Sequence, residues 1–398
     1  MKLTVIGFGQ CGGRIADEFA KINRKARLFR RIEITPGVFA VNTDVADLSG
    51  LTAIPRDFGH RILIGSDRTG GHGVGKVNEL GAEIAKRDAD KVIDAIRQTR
   101  KFHESDALLL VSSSSGGTGS GSLPVIAQVI KERHIGRKVY ALVVLPFEHE
   151  ESTEEKAIYN TATCLKSISS VADAVILVDN QRYVTKDAAL LTNLSGINER
   201  IVKPFYDLLC AGEETKARYI AAKTLDAGDI IQTLTGWTVI GYGSSQLSLL
   251  RALSLKKSSF TTTDAQIHRG VAAMNEAMSD LSLNCAPTDA GKALYLLAAP
   301  RGEINVSLVR ALGEHLRASV PKAIIRNGDY PRGGRSLGVH VILSALSNVE
   351  RVKQYYAKTV SGMPELRKRQ EEGAVRLRDM DKVGNDVPSL LQEEERYS

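Results

Sequence analysis

The sequence predicts an α/β protein: a doubly wound parallel sheet in its first half, then a long central helix, then a smaller α+β C-terminal domain. Three observations carry that expectation. Short apolar runs alternate with helical stretches over the first half, two of the strand-to-helix connections are rich in glycine, and a long amphipathic stretch separates the halves.

The runs Leu3 to Gly7, Val38 to Val41, Arg61 to Ile64, Ala107 to Ser112, Val139 to Leu145 and Ala174 to Val178 read as strands. Strands of this kind with helical stretches between them form a parallel sheet covered on both faces. From about Gly196 to Ala222, apolar residues at Ile197, Ile201, Phe205, Leu208 and Leu209 recur near the helical period, and Pro204 is expected to bend this helix. Thr238 to Tyr242, Ala293 to Ala299, Ala323 to Ile325 and Val339 to Leu343 predict a smaller mixed sheet, with helices at Thr263 to Met278 and Ile304 to Ala318. The expected divisions are 1–195, 196–222 for the central helix, 223–362, and a charged tail at 363–398. After Pro364 that tail runs through Arg367-Lys368-Arg369 to Glu393-Glu394-Glu395, which suits a solvated helix, a disordered extension or an adaptor-binding segment.

Composition narrows the function classes. A chain of 398 residues is long enough for two buried cores. The formal charge of +7 comes from scattered cations with acids nearby, so no direct nucleic-acid binding is expected, while a polyanionic surface or an acidic partner tail stays open. No apolar run is long enough for a transmembrane segment, and Met1 leads straight into a strand rather than a signal peptide, so a cytoplasmic location is expected. Cys11, Cys164, Cys210 and Cys285 are widely spaced, which predicts neither a zinc site nor a disulfide framework.

The glycine turns carry the chemistry. Ala107 to Val111 feeds Ser115-Gly116-Gly117-Thr118-Gly119-Ser120-Gly121, and a helical run, Ser122 to Arg133, leaves it. Successive glycines let backbone N–H groups face one anion, the following helix adds the positive end of its dipole, and Thr118 offers a hydroxyl. At the N-terminus, Leu3-Thr4-Val5-Ile6 runs into Gly7-Phe8-Gly9-Gln10-Cys11-Gly12-Gly13-Arg14. Loops after parallel strands converge on one crevice, so the two turns predict one nucleotide site. Gly7, Gly9 and Gly12 also satisfy the dinucleotide fingerprint, with Asp44 placed for a ribose hydroxyl, so an NAD(P)-dependent oxidoreductase is the rival reading. The second long cradle speaks against it, and Val77 after Gly75-Lys76 rules out a Walker motif.

These residues resemble the tubulin/FtsZ superfamily. Its G-G-G-T-G-[ST]-G hallmark is matched by Gly116 to Gly121, with Ser115 in place of the first glycine. Gly9-Gln10-Cys11-Gly12 looks like the tubulin form of the first loop and Val41-Asn42-Thr43-Asp44 like the FtsZ form of the second, a mixture that resembles the archaeal CetZ type. Gly73-Val74-Gly75, Asp179-Asn180 and Asn198 follow in the family's order, and the resemblance covers about residues 1 to 360.

The resemblance implies a GTPase domain that binds GTP or GDP with Mg²⁺. Gly9, Gln10, Cys11, Gly12, Gly13 and Arg14, then Asp44, then Val74, Gly75 and Lys76, then Ser115, Gly116, Gly117, Thr118 and Gly119 are the residues it assigns around the phosphates. Asn180 and Asn198 would read the guanine edge, since an amide carries both a donor and an acceptor. Leu194 stands where relatives place a stacking aromatic. Ala157 falls where tubulins have the ribose acid, so Glu154 or a neighbouring carboxylate is expected to serve. Thr224-Leu225-Asp226-Ala227-Gly228-Asp229 resembles the catalytic N-x-D-x-x-[DE] loop with Thr224 replacing Asn, and assigns Asp226 and Asp229 as the acids. On spacing alone the same pair reads as an exposed helix cap. A 25-residue helix would span about 38 Å, which puts these acids out of reach of their own nucleotide and implies head-to-tail self-association into protofilaments. A nucleotide-bound scaffold without turnover remains the other alternative.

Overall fold

Strand β1 (Leu3–Phe8) is wholly buried and lies between β2 (Gly37–Asn42) and β4 (Ala107–Ser113), parallel to both. The sheet extends outward through β3 (Arg61–Leu63) on one side and through β5 (Lys138–Leu145) and β6 (Ala174–Asp179) on the other. These parallel strands are continuous Val/Leu/Ile/Ala runs because helices cover both their faces. Between the strands run α1 (Gly9–Arg30), α2 (Val45–Ser49), α3 (Ser66–Thr69), α4 (Asn78–Arg87), α5 (Ala89–Gln98), α6 (Thr118–Glu132), α7 (Glu148–Thr153) and α8 (Glu155–Ser169). The computed structural model describes every residue except 100, 134–135, 185–189, 247–258 and 363–398, so the expected charged tail lies outside the described residues.

The second half does not build a separate sheet. Strand β7 (Gly236–Gln246) starts parallel to β6, with Gly236 opposite Ala174, and continues antiparallel to β10 (Ser336–Leu346). Beyond β10 lie β8 (Ala290–Ala299) and β9 (Ile324–Pro331), giving one ten-stranded sheet in the order β3-β2-β1-β4-β5-β6-β7-β10-β8-β9. At its middle the long β7 is the hinge from parallel to mixed pairing. Among the later helices, α11 (Ser259–Ser279) packs on β7 and β10 and against α12 (Val306–Ser319). Residues Met1–Val352 form one compact unit, and a second begins at Lys353.

The central helix, α9 (Leu190–Ala211), contains Pro204 and ends eleven residues before the expected Ala222. Tertiary contacts stop it. A Cβ on Gly212 would stand 2.9 Å from the Leu225 carbonyl, and Glu214 turns back to receive the Thr215 and Lys216 amides at 3.2 and 3.1 Å. The other Glu214 oxygen lies 3.5 Å from Arg30 at the end of α1. Near the C-terminal end of α9 the buried Asp207 meets Arg332 at 2.5 Å and His340 at 3.2 Å. Burial works to raise this carboxyl, yet the His340 hydrogen bond and the Arg332 charge hold it below the usual carboxylate range. This ionic cluster fastens the central helix to β10.

Candidate functional site

The parallel strands end together, with Phe8, Val41 and Ser112 side by side in register. The first and fourth loops then touch backbone to backbone. A Cβ on Gly119 would stand 2.8 Å from the Phe8 carbonyl and 2.3 Å from Ser112 Oγ, a space only hydrogen fits. Gly9, at φ +69, opens α1, and Gly12 and Gly13 sit buried in its first turn. The half-buried Arg14 follows on the same helix. Gln10 Nε2 donates to Asp47 Oδ1 at 2.7 Å, and Asn42 donates to the other Asp47 oxygen at 3.0 Å, so the first and second loops share one carboxylate. Burial pushes the Cys11 thiol up to about 12, which favours its neutral form.

Around the cradle the glycines divide by task. A Cβ on Gly117 would stand 2.6 Å from Val74 Cγ2, 2.8 Å from the Val77 nitrogen and 2.9 Å from Lys76 Cα, so Gly117 is bare because the third loop presses on it. Gly116 has nothing within 4 Å of a built Cβ and faces open space. No side chain caps the N-terminus of α6, which leaves its first N–H groups to the ligand side. Thr118 is buried and its hydroxyl lies 2.6 Å from that of Thr43, so it also holds the second loop. Asp44 caps α2, its Oδ1 accepting from the Ala46 and Asp47 amides at 2.8 and 3.1 Å. Its Oδ2 lies 3.8 Å from a Cβ built on Gly73, next to the Val74-Gly75-Lys76 turn.

One residue absent from the sequence reading organises this corner. Asn160, on α8 and 1% exposed, points its Nδ2 at the carbonyls of Lys76 (3.0 Å), Ser115 (3.0 Å) and Gly116 (3.2 Å). A single amide therefore pins the third loop to the cradle. Tyr159-Asn160 inside an otherwise ordinary helix gave no signal, because its partners lie 44 to 84 residues away.

Two residues of the expected site meet each other: Lys76 Nζ forms an ion pair with Glu154 at the start of α8. Asn180 opens a short turn after β6, where burial raises the Asp179 carboxyl. Asn198 lies on α9, half-buried, and Leu194 likewise. Arg200, one half-turn on, stacks 5.0 Å over the Tyr183 ring and joins α9 to that turn. Among the described residues, no group of three or more His, Cys, Asp or Glu could hold a metal ion.

The acids lie at the other edge. Asp226 caps α10 (Ala227–Thr233), its Oδ1 accepting from the Asp229 amide at 2.8 Å, so the capping reading is met in full. Capping leaves Asp226 exposed, with Asp229 Oδ1 3.6 Å from Arg326. The loop hangs from β9: buried Asp329 accepts from the Lys223 and Ala222 amides at 2.7 and 3.1 Å, and its own amide donates to the Lys223 carbonyl at 3.0 Å. Helix α10 leads directly into β7, whose first residue pairs with the first residue of β6. The acids thus stand at the N-terminal edge of the parallel strands, and the glycine loops at the C-terminal edge. Helix α9 connects the two over about 33 Å at 1.5 Å per residue.

Comparisons with known proteins agree with this arrangement. The profile of the Tubulin/FtsZ family, GTPase domain, matches residues 2–185, and that of the tubulin-like CetZ C-terminal domain matches residues 188–361. The tubulin-like protein CetZ1 of Haloferax volcanii is 35% identical over 370 residues, covering 89% of this chain and 90% of that protein. The GDP-bound monomer of H. volcanii CetZ1 superposes with a TM-score of 0.77 at 32% identity, covering 91% of this chain and all (100%) of that one. The GTPγS-bound protofilament of H. volcanii CetZ2 gives 0.78 at 28% identity, covering 92% and 100%. The chain belongs to the tubulin/FtsZ superfamily, in its CetZ group.

Proposed function

We propose that this protein binds GTP at the C-terminal edge of its parallel strands and hydrolyses it when a second copy docks head to tail, presenting Asp226 and Asp229. The observation that carries this reading is the placement of loops and acids on opposite edges of one sheet. Solved structures of relatives, one a GDP-bound monomer and one a GTPγS-bound protofilament, support the nucleotide and the assembly. Family membership weighs against the dinucleotide-dependent oxidoreductase.

The open space at Gly116 and the uncapped start of α6 suit a phosphate, which the helix dipole and backbone N–H groups stabilise without a side chain. Bound Mg²⁺ would offset phosphate charge, kept by the phosphates and water, with Asp44 as a carboxylate of the second loop that could hold one of those waters. Asn180 and Asn198 would read the base. Asp226 and Asp229 would orient and polarise water across the contact, with Arg326 fixing Asp229. In this reading 1–195 holds the nucleotide, the central helix spans the subunit and 223–362 carries the activating acids.

A mixing assay tests the proposal. Asp226→Ala protein keeps its pocket, Gly116→Val protein keeps its acids, and each alone should release almost no phosphate. Combined, they should recover release. Full activity of dilute Asp226→Ala protein would place catalysis within one chain, and assembly of the unmutated protein without any phosphate release would leave a scaffold. Denaturing the purified protein should release guanine nucleotide.

A further inference from the structure

At the far end of α1, remote from the glycine loops, two large apolar side chains stand in solvent. Leu28 is 72% exposed and Phe29 70% exposed. Ile220, 50% exposed, joins them from the turn after α9. That turn is fixed beside the helix end, because Lys216 Nζ donates to the Phe29 carbonyl at 3.3 Å and the Arg30 guanidinium lies 4.0 Å from the Tyr219 ring centroid and 5.3 Å from that of Tyr330. The apolar residues therefore project from a braced platform.

Every charged residue of the two segments that build it, 24–31 and 216–220, is a cation: Arg24, Lys25, Arg27, Arg30, Arg31, Lys216 and Arg218. Of these, Arg30 is buried and neutralised by Glu214, while Arg24, Lys25, Arg27, Arg31 and Arg218 are exposed. Glu33, mostly buried, pairs with Lys101 at 2.5 Å and lies 3.8 Å from Arg27, so it offsets only part of this charge. A helix end that offers adjacent leucine and phenylalanine beside exposed cations in excess of their acids matches an anionic lipid surface. The cations are drawn to the headgroups, each contributing roughly fivefold in binding, and the two apolar side chains enter the headgroup–acyl boundary. A nucleic acid would use the cations and leave Leu28 in water.

We propose that the Leu28–Phe29 corner, with Ile220 and the surrounding arginines, docks this protein onto anionic membranes. No helix among the described residues is long and apolar enough to cross one, so the contact is peripheral. The test uses the full-length protein and cosedimentation with vesicles of equal parts phosphatidylglycerol and phosphatidylcholine, against vesicles of phosphatidylcholine alone. Binding should be confined to the anionic vesicles and weaken with salt. The double substitutions Leu28→Ser/Phe29→Ser and Arg27→Glu/Arg31→Glu should each lower it by about tenfold or more, with thermal melting, nucleotide content and assembly by light scattering unchanged. Equal binding to both vesicle types, or variants that bind as well as the parent, would overturn the proposal. So would variants that lose assembly instead of vesicle binding, since the corner would then be a contact between copies, or an oligonucleotide that binds at the same site with no dependence on Leu28 and Phe29.

Discussion

At the C-terminal edge of the parallel strands, loops are fixed by backbone packed on backbone, with Gly119 against Phe8 and Gly117 against Val74 to Val77. At the N-terminal edge, the acid loop packs on Gly328 and Gly212 and is tied by hydrogen bonds to Asp329, but its first acid, Asp226, stands exposed and Asp229 only partly covered. The first arrangement preorganises a rigid surface that a polyanion meets without rearrangement. The second leaves acids that are unfinished until another surface closes over them. The proposed division of labour between two copies rests on this difference, since neither edge alone holds both a phosphate cradle and the acids.

The comparison breaks hardest at the cradle. Gly117→Val pushes a branched side chain into the third loop and should destabilise the fold by about 1–3 kcal/mol through overpacking, seen as a lowered Tm. Gly116→Val meets nothing, so Tm should hold within a degree or two while nucleotide retention is lost. If Gly116→Val retains nucleotide, the phosphates do not approach that glycine. Asn160→Leu comes next: it strips the amide donor from three buried or part-buried carbonyls and should cost about 1–3 kcal/mol, with nucleotide affinity falling as the third loop loosens. Unchanged melting and affinity would show that the loops hold without it.

The acid edge should respond in the opposite way. Asp329→Ala removes the acceptor for two loop amides and should lower phosphate release severalfold while nucleotide binding is preserved, because the cradle lies at the other edge. Measuring retained nucleotide and turnover on the same preparation separates the two. Loss of nucleotide in Asp329→Ala protein would mean that the edges are coupled.

Much of this was legible in the sequence because it is local. Glycine turns, apolar strands and the D-x-x-D cap are each written within a few residues, and the strands and both glycine loops appear where those patterns put them. The end of α9 was not legible: nothing near Gly212 says that Glu214 will turn to Arg30, 184 residues away, and stop the helix short of Ala222. The joining of both halves into one sheet was hidden for the same reason, since it depends on three residues of β7 reaching β6 before turning to β10. Within the site, Thr118 shows the limit of motif reading. The cradle pattern offers its hydroxyl to phosphate, and the fold adds a second partner the motif does not name, Thr43 at 2.6 Å.

The smallest effect is the most discriminating for the ribose end of the site. Lys76 and Glu154 form an ion pair with side chains 50% and 31% exposed, and an exposed pair contributes at most about 1 kcal/mol, so neither Lys76→Ala nor Glu154→Gln should move Tm appreciably. Nucleotide affinity tells more. If Glu154 contacts a ribose hydroxyl, Glu154→Gln weakens a charge-assisted hydrogen bond and lowers affinity. If Glu154 only competes with phosphate for Lys76, the substitution frees the ammonium, removes a repelling charge and raises affinity by about fivefold at most, and Lys76→Ala lowers it. Added salt should shrink the second effect, since both charges face solvent, and leave the first largely intact. The sign of the Glu154→Gln change, read by titrating nucleotide at low and high ionic strength, therefore decides whether the acid at the start of α8 recognises the sugar or restrains the lysine of the third loop.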